Sequence, residues 1–125
     1  MNIKLVEGYT RIYSIDKFVE EYAALFGKNV SLHKTHLKKL RESLSFLESE
    51  PNAVRLLPKR FEQLKNTDLL CIRDVSKSNP RVLFAYIDDS GAIILLHCFK
   101  EKRSSDYQAA IRIAESRLKE VQSYV

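Results

Sequence analysis

"RVLFAYIDDSGAIILLHCF" occupies residues 81–99, and the way it folds decides what surrounds it. Two apolar runs, RVLFAYID (81–88) and AIILLHCF (92–99), flank Asp89-Ser90-Gly91, a turn triplet that predicts a β-hairpin. Neither run alternates. Val82, Phe84 and Tyr86 would line one side of the first strand, and Leu83, Ala85 and Ile87 the other. Strands apolar on both faces belong in the middle of a sheet, covered from both sides. Just upstream, DLLCIRDV (68–75) is a third compact apolar run, broken by Arg73 and joined to the hairpin through SKSNP. The three together predict an antiparallel meander.

On either side of the meander the period changes to that of helices. Downstream, Tyr107, Ala110, Ile111, Ala114, Leu118 and Val121 fall on one helical stripe, and Ser105 with Gln108 reads as a capping box at its start. Upstream, Ser14 precedes a stripe of Phe18, Tyr22, Leu25 and Phe26 that stops at Gly27. Ser31 opens a longer helix with Leu37, Leu40, Leu44 and Leu47 on one face, ended by Pro51. Residues 3–13 read as an early strand or two short extended pieces. The expected fold is one α+β domain over residues 1–125: an N-terminal helical hairpin packed on a small antiparallel meander, closed by a C-terminal helix.

Composition bounds the function. At 125 residues the chain can bury a real core, and 45% hydrophobic with 30% charged residues is globular usage. No apolar run approaches the roughly 20 residues of a membrane span, and MNIKLVEGYT lacks the apolar stretch of a signal peptide. Cys71 and Cys98 lie in apolar strands and read as buried free thiols of a reducing cytosol, so a cytoplasmic protein is expected. A formal charge of +5 makes a polyanionic or acidic partner plausible. His33 and His36 lie one helical turn apart without an evident third ligand, and there is no Cys-x-x-Cys pair, glycine-rich phosphate loop or nucleophile elbow. No cofactor and no metal is expected.

The cations carry the functional reading. Lys100, Lys102 and Arg103 follow the last strand, where charge alone would serve to block edge pairing. In an antiparallel meander, however, Arg73 and Arg81 become neighbours, and the end of strand 92–99 reaches the same edge. Two adjacent arginines call for an anion or a carboxylate between them, and Asp74 is the local candidate. Three cation sites at one sheet end suit a phosphate. Tyr107, in the first turn of the last helix, reads equally as core or as a proton-transfer or stacking group at that end. His97 reads as a buried strand histidine first and as a catalytic one second.

The order LLCIRDV, then NPRVLFAYID, then AIILLHCFKEKR, then SSDYQAAIRIAESRLKEV resembles the RelE/ParE superfamily of bacterial toxins, in particular its HigB-like, phage-derived branch. The resemblance covers roughly the last 70 residues. It implies a type II toxin that cleaves messenger RNA on the ribosome without a metal and is neutralised by a cognate antitoxin, a small helix-turn-helix protein. The 2′-hydroxyl attacks the adjacent phosphate while basic side chains stabilise the added charge. It makes Arg73 and Arg81 phosphate contacts and Arg103, Tyr107 and His97 catalytic, while the cations at the sheet end add Lys100 and Lys102 as phosphate-binding residues. The pattern departs in two places: Leu69 and Cys71 stand where candidate base lysines are expected, and Glu101 where another arginine is expected. Lys59 or Lys65 would then have to lean in from the preceding loop. The superfamily also holds gyrase poisons that cleave no RNA, so a gyrase-binding or catalytically silent relative is the alternative.

Overall fold

The computed structural model describes residues 2–73 and 80–123. The 81–99 stretch forms the hairpin its sequence predicts, between strands running Pro80–Tyr86 and Ile93–Lys100. Both lie at the centre of the sheet, and Leu83, Phe84, Ile94 and Leu96 are fully buried. Each such side chain contributes about 1.5–3 kcal/mol by leaving water. At the turn, Gly91 has φ +90° and a Cβ there would lie 2.8 Å from Nη1 of Arg11, so glycine answers both demands.

The rest of the architecture corrects the expectation. Two strands come first, β1 (Ile3–Leu5) and β2 (Ile12–Ile15), followed by α1 (Phe18–Ala24), α2 (Val30–Ser49) and α3 (Ala53–Leu56). Next come β3 (Phe61–Gln63), β4 (Leu70–Arg73), β5 (Pro80–Tyr86) and β6 (Ile93–Lys100), with α4 (Ser104–Gln122) last. The sheet has six strands in the order β1-β2-β6-β5-β4-β3, and β2 runs parallel to β6. The fold is therefore not an N-terminal helical hairpin on a small antiparallel meander. Among the described residues it is a mixed sheet with four helices, whose first helix follows two strands.

The physical reason lies in the segment before the helices. Ile12 and Ile15 are buried, and Ser14, expected to start a helix, is instead a buried residue of β2 paired with Leu95. Glu48 on α2 holds the approach to β2 by accepting from the backbone N–H groups of Thr10 (2.7 Å) and Arg11 (3.0 Å). The two successive helices do meet, since Phe26, just past α1, stacks on His33 and His36 of α2. They are not the start of the fold.

One irregularity in the central pair has consequences for the site. The β5–β6 register shifts between Leu83, opposite His97, and Phe84, opposite Leu95. Leu96 is the extra residue of this bulge, and its carbonyl accepts from Nη1 of Arg117 on α4 (2.8 Å). Beyond the bulge the faces swap, so His97 shares a face with Phe99 but not with Leu95. The sheet face beneath α4 carries Cys71, Arg73, Arg81, Leu83, His97 and Phe99. Ile72, Val82 and Cys98 occupy the opposite face. Cys71 and Cys98 are both free and buried, and they lie on opposite faces of the sheet.

Candidate functional site at the sheet end

Strand register places Arg73 directly opposite Arg81, and Arg81 opposite Phe99, as the antiparallel pattern requires. Like charges in cross-strand contact repel. The fold answers this with a carboxylate for each arginine. Arg73 Nη1 pairs with Glu62 of β3, and Arg81 Nη2 lies 3.1 Å from Glu101 Oε2. Neither acid was legible as a partner, because β3 is only three residues long and Glu101 stands in a run of cations. Asp74, the expected bridging carboxylate, lies outside the described residues.

Arg81 is the deepest charged group of this cluster, 8% exposed. Its Nε–H donates to Tyr107 Oη (3.2 Å), while its Nη1 is buried without a partner among the described residues. A guanidinium offers five N–H donors, and leaving one buried and unmatched is costly. Tyr107 sits in the first turn of α4, edge-on to Phe99 with ring centroids 5.1 Å apart, and its hydroxyl lies 3.8 Å from Cys71 Sγ. Burial and the neighbouring Cys71 push the phenol up to about 12, so it stays protonated at neutral pH. Burial also pushes the Cys71 thiol up to about 11, which keeps it from acting as a nucleophile. Tyr107 is thus both a core ring and a hydrogen-bonding group at the sheet end.

The other expected residues divide between neighbouring places. Lys100 belongs to the opposite sheet face, its Nζ 5.5 Å from the centroid of Phe26. Lys102 and Arg103 are exposed in the link to α4, and their backbone N–H groups donate to the Asp106 carboxylate (2.8 Å each). That makes Asp106, three residues past Arg103, the acid that caps the helix, in place of the expected Ser105 and Gln108 box. His97 is part-buried, stacked on Phe99, with Nδ1 3.4 Å from Arg117 Nη1. Burial, then the Arg117 charge, holds its imidazole below the usual range, so it is neutral at pH 7. Arg117 also donates to both carboxylate oxygens of Glu21 on α1 (2.8 and 2.7 Å). His97 therefore faces a second polar cluster, Glu21–Arg117.

Of the two loop lysines, only Lys59 lies at this end. Together with Leu56, Leu57, Pro58, Arg60 and Arg73 it lines an open groove of about 440 Å³. Lys65 lines a separate cleft with Tyr86, at the other end of β5. Arg60 was not anticipated: its carbonyl accepts from Arg73 N–H (2.8 Å) and its Nε is buried without a partner among the described residues. Among the described residues no three His, Cys, Asp or Glu side chains are grouped as a metal site, and no helix is long and apolar enough to cross a membrane.

The family model described as phage derived protein Gp49-like (DUF891) matches residues 22–119, a span from the end of α1 through most of α4 that includes every residue of the sheet-end cluster. Nothing matches among the curated proteins or among the solved structures.

Proposed function

The chain belongs to the Gp49-like family of phage-derived proteins, within the RelE/HigB-like toxin group, and on that premise we propose that it is the toxin of a type II toxin–antitoxin pair acting as a ribosome-dependent messenger RNA endoribonuclease. The observation that carries the reading is Arg81: a buried arginine at the sheet end, with a guanidinium nitrogen unmatched among the described residues and a protonated phenol on its Nε.

In this reading the RNA 2′-hydroxyl attacks the adjacent phosphorus, and the 5′-oxygen leaves as the cyclic phosphate forms. Arg81 and Arg73 neutralise the charge that grows on the non-bridging oxygens, assisted by Arg103 and Lys102 from the exposed link. Tyr107, protonated at neutral pH, suits the acid that donates to the leaving oxygen or to the phosphate, and not the base. His97, neutral at the same pH, has the right protonation state for a base, and it stands on the same sheet face as Arg81. Lys100, on the other face, guides the approaching backbone by charge alone. Its partners are messenger RNA on the ribosome and a cognate antitoxin, in the cytoplasm.

Induced expression in a bacterium, with primer extension on abundant messages after growth stops, tests this. New 5′ ends inside translated regions, lost in Arg81→Ala and Tyr107→Phe, are expected. Arrest without such ends overturns the nuclease. A second reading, a gyrase-binding toxin, is favoured by the pairing of both Arg73 and Arg81 with carboxylates, which leaves less net charge for a phosphate. That toxin would accumulate cleaved plasmid DNA instead.

A further inference from the structure

We propose that Glu101 is a resident substitute for the substrate phosphate, and that an RNA phosphodiester enters the site by exchanging with the Glu101 carboxylate on Arg81. The inference deepens the nuclease reading above and rests on it for the identity of the incoming anion.

Three features place the exchange at this residue. Glu101 Oε2 takes up Arg81 Nη2 (3.1 Å), and among the described residues it is the carboxylate that meets this guanidinium. The Glu101 side chain is 31% exposed against 10% for Arg81, so the acid stands on the solvent side of the pair and can swing away. The pairing is also incomplete: with Nε given to Tyr107 and Nη2 to Glu101, Nη1 keeps no acceptor among the described residues.

A phosphate is the better match for what remains. Its non-bridging oxygens present several acceptors around one charge, enough to reach Nη2 and Nη1 together, whereas the carboxylate as placed reaches only Nη2. The Tyr107 hydroxyl, already accepting from Arg81, has among the described residues only the weakly accepting Cys71 sulfur, 3.8 Å away, to take its own proton. A phosphate oxygen would accept that proton's hydrogen bond. Glu101 thus keeps the buried arginine paired when no RNA is bound, and it makes a lone phosphate compete for the site. RNA that also engages Arg73 and Arg103 gains the extra contacts needed to displace it.

Inorganic phosphate is the first probe, titrated into wild type, Glu101→Gln and Glu101→Ala while following the Arg81 Nε–H resonance by NMR. Both variants are expected to bind phosphate about tenfold more tightly than wild type, because a charged competitor has been removed. Their Arg81 resonance should move to the position that wild type reaches only at saturation. Equal affinity in all three, or phosphate binding that leaves the Arg81 signal unmoved, overturns the proposal. Glu101→Ala guards against glutamine simply retaining the contact, and circular dichroism confirms that both variants fold. A 2′-deoxy-substituted, uncleavable RNA oligonucleotide follows. Tighter phosphate binding by the variants, with no messenger cleavage by any of the three proteins in translating extract, would sink the nuclease reading and leave the exchange standing.

Discussion

At the scale of single residues, the sheet end separates side chains by burial more than by type. Arg103 is exposed and its side chain caps nothing, so Arg103→Ala should change stability by less than about 0.5 kcal/mol while relieving growth arrest. A variant that remains fully toxic in the growth assay removes Arg103 from the mechanism. Tyr107→Phe is the converse case. It strips the acceptor from a buried Arg81 N–H and should cost about 1–2 kcal/mol in urea unfolding, besides lowering activity. Period-2 counting was enough to place Arg73, Arg81 and the end of β6 together, because antiparallel pairing leaves little freedom once the turns are known. It did not reveal what the arginines hold. Glu62 and Glu101 reach them through side-chain geometry, which no spacing encodes, and the bulge at Leu96 moved His97 off the face it would otherwise share with Leu95.

At the scale of elements, α4 is held at its start by Asp106 and farther along by Arg117, and each anchor has its own pH signature. Asp106 accepts from the Lys102 and Arg103 N–H groups, which hold its carboxyl below the usual range. Glu21 is held down by its hydrogen bonds from Arg117, outweighing its burial. For both acids the folded value is depressed, so their contribution is full above the ordinary carboxylate range and is lost as pH falls through the lowered value. His97 adds an earlier phase: with its folded value also depressed, folding resists its protonation, and stability declines as pH falls through the ordinary imidazole range. Urea midpoints measured against pH should therefore fall in two stages. His97→Gln should erase the upper stage alone, and an unchanged profile would mean that the imidazole is not desolvated as described. The helices were legible as stripes of period 3.6, but their ends were not. Ser14 and Ser105 looked like caps by residue type, whereas β pairing claimed the first and Asp106 took over from the second.

At the scale of the whole molecule, the unforeseen feature is the parallel pairing of β2 with β6. Three- and four-residue strands such as β1, β2 and β3 are too short to show a period, and a parallel partner about 80 residues away leaves no turn signal between them. Removing residues 1–16 should strip β6 of its outer neighbour, exposing the backbone edge of Ile93, Ile94 and Leu95, and the truncated protein should aggregate in light scattering where the full chain does not. A monodisperse truncation would show that β2 is dispensable. The same pairing governs when the sheet can close. β6 is the last strand to be synthesised, yet both halves of the sheet join through it, and α4 with Tyr107 follows later still. Long-range pairing of this kind must wait for its distant partner. A nascent chain can bring Arg73 and Arg81 together once β4 and β5 exist, but it cannot join the two halves of the sheet or seat Tyr107 on Arg81 until β6 and α4 have been made.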